Sequence, residues 1–252
     1  MAVMLSMFRR QPRADLPAGQ RLYAIGDVHG RLDLLDALLD RIHDDDAARR
    51  PAETHVILLG DLIDRGPYSA GVVRRIMAGD DRFASLRALK GNHEASLLSV
   101  LEGDTRWLQS WLDYGGRASL RSWGVDDAVL RSDDEAAIVG AAITAVPPDE
   151  QAWLAGLPTR HQAGDYLFVH AGVRPGVPIE AQSDEDMLWI RGEFLNDRSD
   201  HGVVVVHGHT ISRTPETRPN RIGIDTGAYL SGTLTALGID GSERWFLDTG
   251  AG

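Results

Sequence analysis

Four short apolar, β-rich runs, at residues 22–25, 55–59, 166–169 and 203–206, each end in a polar cluster that contains glycine. Runs of this kind are how buried strands look when they deliver loops to the end of a sheet. Between the first two runs, Leu32, Leu35, Leu38, Leu39 and Ile42 recur at helical spacing with acidic residues opposite. Strand, helix and strand imply a parallel βαβ unit, so the chain reads as an α/β protein with its function at the strand ends.

A second helix is expected after Pro67 and a third near Glu94. From about residue 103 to 158 strand patterns are few, which reads as a helical insertion beside the core. Within it Trp107, Leu108, Trp111 and Leu112 have the spacing of a core-facing helix stripe. Residues 221–247 read as short strands separated by Asp-Thr-Gly and Asp-Gly turns. The apolar opening, Met1 to Phe8, is too short to span a bilayer, and Arg9, Arg10 and Arg13 follow rather than precede it, unlike a signal peptide. Residues 1–19 are therefore expected to be a flexible tail on a domain over 20–252, in a cytoplasmic protein with no membrane contact.

Composition removes several chemistries. The 252 residues carry a formal charge of −11, which argues against a nucleic-acid partner because phosphate-backbone binders concentrate positive charge. With no cysteine there is no disulfide, thiolate metal site or thiol nucleophile. Lys90 is the one lysine and no GxxxxGK[ST] stretch exists, so the P-loop phosphate cradle is excluded.

What remains is written in five clusters: GDVHG at 26–30, GDLIDRG at 60–66, GNHE at 91–94, HAG at 170–172 and HGHT at 207–210. In extended backbone residues i and i+2 face the same way, so Asp27 and His29 converge on one point. Adding Asp61, Asn92, His170 and His209 gives oxygen and imidazole ligands without sulfur, a set suited to manganese, iron or zinc. One carboxylate can bridge two ions about 3.5–4 Å apart, and Asp61, central in the order of ligands, is the expected bridge. Neighbours in an extended segment point apart, which assigns Asn92 to metal and His93 to substrate. Asp64 is placed to accept a hydrogen bond from His93, and Arg65 offers a planar fork for two phosphoryl oxygens.

Taken alone, each Gly-Asp pair reads as a turn; jointly, charged residues ending apolar strands are costly unless paired or metallated. His43, His55, His161 and His201 lie outside every cluster and read as solvent-facing or locally bonded. The acidic run 44–46 reads as a solvated helix end and 133–135 as a loop or helix start. Arg174, Arg213 and Arg218 read as surface arginines. Asp225 and Tyr229 divide evenly between a structural Asx turn with a half-buried aromatic and a substrate-lining pair.

In order and spacing the clusters resemble the phosphoprotein phosphatase family of calcineurin-like metallophosphoesterases, whose pattern runs GDxHG, GDxxDRG, GNHE, a later histidine before a small-residue pair, and GHT. DYLFVHAG at 165–172, DMLWIR at 186–191 and IDTGA at 224–228 extend the likeness to its small bacterial serine/threonine members over roughly residues 20–240. The resemblance implies a β-sandwich flanked by helices with a metal site at the carboxyl ends of the strands. It implies two divalent cations, manganese foremost, one held by Asp27, His29 and Asp61 and the other by Asp61, Asn92, His170 and His209. His93 would be the general acid and Asp64 its orienting partner, with Arg65 and Arg191 on the phosphoryl group. The implied reaction is hydrolysis of phosphoserine, phosphothreonine or phosphotyrosine in proteins, or of small phosphoesters, by direct attack of a metal-bridging water. The family's GHT falls on His209, which leaves His207 to packing or to supporting a ligand. Two rivals stand beside this. One is a dinucleoside tetraphosphate hydrolase, whose relatives resemble this chain but commonly carry alanine where Asp64 stands. The other is an idle partner-binding module, against which every expected ligand is retained.

Overall fold

In the computed structural model, which describes residues 14–250, strand β1 (Gln20–Ile25) is buried on both faces. Leu22 and Ala24 enter one apolar cluster and Tyr23 and Ile25 another, so the strand stands between two packed layers. Helix α1 (Leu32–Ala47) follows and buries Leu35, Leu38, Leu39 and Ile42. Strand β2 (Glu53–Leu58) then pairs parallel to β1, with Gln20 opposite Glu53 and Ile25 opposite Leu58. Next come α2 (Ser69–Met77), β3 (Ser85–Ala88), which is parallel to β2, and α3 (Asn92–Leu101).

The next segment is helical. Helix α4 (Leu108–Trp111) runs through a π-type turn, Leu112–Gly116, into α5 (Arg117–Ser122), and α6 (Asp127–Leu130), α7 (Glu135–Ala145) and α8 (Pro148–Ala155) follow. Asp134 caps α7 by accepting the Ala137 N–H at 3.0 Å. The expected apolar stripe holds for Leu108, Trp111 and Leu112, but Trp107 is 71% exposed. It is the residue before α4, with non-helical φ of −116°, so helical periodicity does not carry its side chain to the core.

A second sheet begins with β4 (Arg160–Ala163) and β5 (Tyr166–Val169). Helices α9 (Asp184–Trp189) and α10 (Gly192–Asn196) cover its outer face with Met187 and Phe194 against Leu167, Val169 and Val205. Strands β6 (Val204–His207), β7 (Glu216–Thr217) and β8 (Arg221–Gly223) complete it in the order β4-β5-β6-β8-β7. A helical turn, α11 (Ala228–Ser231), interrupts the expected run of short strands before β9 (Thr235–Asp240) and β10 (Glu243–Asp248) return to the first sheet, ordered β10-β9-β1-β2-β3. The sheets meet across Leu22, Ala24, Ile57, Phe168, Val206 and Ile222, giving a two-sheet sandwich with helices outside.

Two expectations are corrected. The acidic run 44–46 does end α1 and Asp44 is exposed, but the other two are not merely solvated: Asp45 accepts from the Tyr23 hydroxyl at 2.6 Å and the Trp245 indole at 2.9 Å, and Asp46 accepts from Thr54 at 2.6 Å and from Arg21. Tyr23 and Arg21 are buried, and a buried hydroxyl or guanidinium needs a partner. Of the expected tail, residues 1–13 lie outside the described residues, whereas Leu16 is buried between the sheets and its N–H donates to Gly241 at 3.0 Å. No helix among the described residues is long and apolar enough to cross a membrane.

Candidate metal centre

The parallel strands β1, β2 and β3 of one sheet and β5, β6 and β8 of the other end at a common rim, where backbone bonds tie their loops together. His29 donates its N–H to the Asp61 carbonyl at 2.8 Å, and Gly208 donates to His170 at 2.9 Å. Among the described residues, five other than glycine have positive φ: His29 (46°), Asp61 (48°), Asp64 (72°), Arg65 (68°) and His209 (64°). All five are residues that the motifs singled out. Left-handed backbone is uncommon outside glycine and persists where surrounding structure over-determines it. Glycine itself is dictated by crowding at Gly208, where a Cβ would lie 2.0 Å from Asp27 Oδ1, and at Gly91, where it would lie 2.2 Å from Asp61 Oδ1.

Asp61 is the hub. Its Oδ1 is 3.3 Å from His170 Nε2, and its Oδ2 is 3.5 Å from His29 Nε2 and 3.8 Å from His93 Nε2. Ligand atoms of Asp61, His170 and His209 lie within 4.8 Å of one another, and so do those of His29, Asp61 and His93. Asn92 Oδ1 is 2.8 Å from His170 Nε2, and His209 Nδ1 is 3.0 Å from the same atom. Asp27 stands beside these triplets and belongs to neither; its oxygens accept the His209 N–H at 3.2 and 3.0 Å.

Proton positions decide whether a cation fits. His170 Nδ1 donates to the Leu59 carbonyl at 2.9 Å and His29 Nδ1 to the Ile63 carbonyl at 2.8 Å. Burial keeps both rings neutral, pushing His29 down to about 3 and His170 below its ordinary value. Each Nε2 then carries a lone pair, and that of His170 faces two acceptors, Asn92 Oδ1 and Asp61 Oδ1. Burial also pushes His209 down, and its buried Nε2 has no hydrogen-bond partner. The lone pair of His170 Nε2 and the oxygens of Asn92 and Asp61 repel one another unless a cation joins them, so these residues fit a divalent metal.

Beside the candidate ligands lies a hydrogen-bonded imidazole and carboxylate. Asn92 and His93 are the first residues of α3 rather than an extended pair, so the reasoning that assigned them to opposite sides does not apply. One helical step of about 100° instead turns Asn92 to His170 and His93 to Asp64. His93 Nδ1 donates to Asp64 Oδ2 at 2.5 Å. Burial opposes a charge on His93, yet Asp61 and Asp64 overcome it and raise the ring to about 9. Asp64 is wholly buried and accepts two further bonds, from the Trp111 indole at 2.7 Å and the Ser119 hydroxyl at 2.5 Å. Arg65 donates to Nε2 of His29 at 2.7 Å, its other terminal nitrogen lies 3.2 Å from His93 Nε2, and its guanidinium lies 4.6 Å from the Tyr229 ring centre.

The remaining candidates separate by distance from this cluster. Arg191 is exposed, and its charge reaches His170 and His209, lowering both. Tyr229 meets His29 edge-on at 5.3 Å, and Asp225 lies against Asp27, with burial raising its carboxyl to about 6. Asp225 also accepts the Gly227 N–H at 2.9 Å, so it is an Asx turn and a site neighbour at once. His207 is buried edge-on to Phe194 at 5.1 Å, a packing position. Arg174 pairs with Asp186 and Glu193, and Arg218 with Glu216; Arg213 is exposed. His43 packs by Phe83, His55 bonds Ser85, His161 packs by Phe168 and His201 lies by Asp197.

Three contributors escaped sequence reasoning. Glu94, quoted as a motif letter without a role, accepts backbone N–H groups of Asp61, Leu62, Ile63 and Gly91 from a fully buried position, where burial pushes it up to about 7. Its fixed place at the end of GNHE was the available signal. Trp111 and Ser119 carried no signal beyond an apolar stripe.

The model of the calcineurin-like phosphoesterase family matches residues 20–232. A curated relative from Dechloromonas aromatica (strain RCB), a symmetrical bis(5'-nucleosyl)-tetraphosphatase, is 27% identical over 270 residues that cover 90% of this chain and 95% of that one. A structure solved as a candidate diadenosine tetraphosphatase superposes with a TM-score of 0.64 at 22% identity, covering 95% of this chain and 100% of the other. A variant of a cold-active protein tyrosine phosphatase superposes with a TM-score of 0.57 at 20% identity, covering 94% and 82%. Both structural likenesses speak to the fold.

Proposed function

The chain belongs to the calcineurin-like phosphoesterase family, a hydrolase class, and we propose that it is a metal-dependent phosphatase cleaving phosphomonoesters whose leaving groups need a proton. Phosphorylated serine, threonine and tyrosine in proteins are esters of that kind. The observation that carries this reading is the buried Asp64 carboxylate 2.5 Å from His93 Nδ1. An alkoxide or phenoxide leaves poorly without general-acid help, which is worth about 10²–10⁴-fold in rate. A nucleoside diphosphate leaves as a stabilised anion and has little need of it.

In this reading Asp27, His29 and Asp61 hold one divalent cation and Asp61, Asn92, His170 and His209 the other, with manganese the first candidate. Two such cations, when bound, supply Lewis acidity and a water acidified toward neutrality. Arg65 exchanges its present acceptor, His29 Nε2, for phosphoryl oxygens, and exposed Arg191 adds a second guanidinium. His93, held by Asp64 through Nδ1, gives its Nε2 proton to the departing oxygen.

A second reading, symmetrical hydrolysis of dinucleoside tetraphosphates, is favoured by the curated relatives, and on sequence similarity alone it has the stronger support. One comparison separates the two. Manganese-loaded protein is offered a phosphoserine peptide, a phosphotyrosine peptide and diadenosine tetraphosphate at equal concentration. A kcat/KM that favours a phosphopeptide supports the first reading; one that favours the tetraphosphate, with nucleoside diphosphate as sole product, replaces it with the second. Turnover of none of them would point to a partner-binding role.

A further inference from the structure

We infer that the stretch from Trp111 to Ser119, in the helical segment between β3 and β4, is the positioning element for the acid pair, with Trp111 and Ser119 acting on His93 through Asp64. This rests on the general-acid role of His93 proposed above. Neither residue touches the reacting atoms.

Four hydrogen bonds meet at one turn. The Trp111 indole N–H and the Ser119 hydroxyl donate to the two different oxygens of Asp64, at 2.7 and 2.5 Å. The Asp64 N–H returns to Ser119 Oγ at 2.7 Å, which closes a ring between the turn and α5. The Gly115 carbonyl accepts the Arg65 N–H at 3.2 Å. Between these anchors the helix is broken at Gly115, where φ is 123°, and a Cβ there would lie 2.5 Å from Arg65 N. Gly116 lets the indole lie close, because a Cβ on it would sit 2.5 Å from the Trp111 ring. π-type interruptions of this sort recur at functional sites.

The physical need is plain in Asp64 itself. Asp64 and Arg65 both have left-handed backbone, so the turn must be held from outside. A carboxylate accepting one bond from His93 can rotate about its terminal torsion, which has only soft preferences. With Oδ1 claimed by Ser119 and Oδ2 shared by Trp111 and His93, the plane of the carboxylate is set and so is the imidazole ring. Supporting contacts of this type are worth about 10–100-fold in activity when removed.

The test uses the full chain, loaded with manganese for kinetics and with magnesium for proton NMR at constant pH. Trp111→Phe and Ser119→Ala remove one donor each; Ser119→Thr keeps the hydroxyl. The His93 Nδ1 proton, expected far downfield in the wild type, should move upfield or broaden in Trp111→Phe and Ser119→Ala and stay in Ser119→Thr. The kcat for phenyl phosphate should fall about tenfold in the first two with KM within about twofold, while 4-nitrophenyl phosphate, an activated ester, slows far less. An unchanged proton resonance in both variants overturns the inference, as does an equal slowing of both esters that tracks lost metal or a lowered Tm. His93→Asn on the same esters keeps the two claims apart. If it lacks the leaving-group effect, the general-acid reading fails, and the proton resonance still reports whether Trp111 and Ser119 position the pair.

Discussion

Glu94 accepts the backbone N–H of Asp61 at 2.9 Å, so the residue at the end of the third motif holds the hub of the candidate metal site, which lies in the second. The same carboxylate collects the N–H groups of Leu62, Ile63 and Gly91. It is an anion cradle turned inward: one side chain satisfies donors that would otherwise be buried without partners. Glu94→Ala is expected to cost at least about 3 kcal/mol, since each orphaned buried donor costs about 1–3 kcal/mol. Urea unfolding and metal content should both fall; Glu94→Gln, which keeps one acceptor oxygen, should lose less of each.

His93→Asn should leave both cations bound, because the expected ligand side chains remain. Turnover of a poor leaving group should fall about 10²–10⁴-fold. Metal analysis beside steady-state kinetics checks this, and turnover within about threefold of wild type would remove His93 from the chemistry.

The pH profile follows from the same ring. An acid is active while protonated, so kcat should hold at low pH and fall as pH rises through the His93 value. That value is about 9 with Asp61 and Asp64 as its charged neighbours, against burial that works to lower it. Cations on Asp61 remove part of the support, so the alkaline midpoint should lie at or below about 9. His93→Asn should abolish that limb.

Gly208→Ala places a methyl group 2.0 Å from Asp27 Oδ1. The loop must shift, and with it the His209 N–H that Asp27 accepts. Metal affinity or turnover should drop about 10–100-fold, with circular dichroism unchanged.

Asp45 gives a prediction remote from the site. It accepts from the Tyr23 hydroxyl, the Trp245 indole and Arg49. Burial raises its carboxyl, but Arg49 and Tyr23 outweigh that and hold it below the ordinary value. The sign is the usual carboxylate one: this stability is present above the unfolded value near about 4 and is lost as pH falls through the lower folded value. Asp45→Ala should cost about 2 kcal/mol at pH 7, read by urea unfolding, through the orphaned Tyr23 hydroxyl.

That Asp27, His29, Asp61, Asn92, His170 and His209 gather in one place was legible because each sits in a short motif at the end of an apolar run, and strand ends in a parallel arrangement share a rim. The βαβ unit was legible for the same local reason: α1 shows its buried face in the spacing of Leu35, Leu38, Leu39 and Ile42. The acidic run 44–46 and Trp107 were misread, since a charge or an aromatic has no face of its own until its neighbours are known.

The sequence by itself determined the chemistry, a set of carboxylate, amide and imidazole groups without sulfur at fixed places along the chain. Only the tertiary structure decided how those groups are held. The left-handed backbone of His29, Asp61, Asp64, Arg65 and His209, the Glu94 cradle and the Trp111 and Ser119 bonds to Asp64 all join residues far apart in the chain or depend on such joins. Local spacing cannot encode them, because a hydrogen bond across 47 or 55 positions exists only once two sheets and their helices have closed around it.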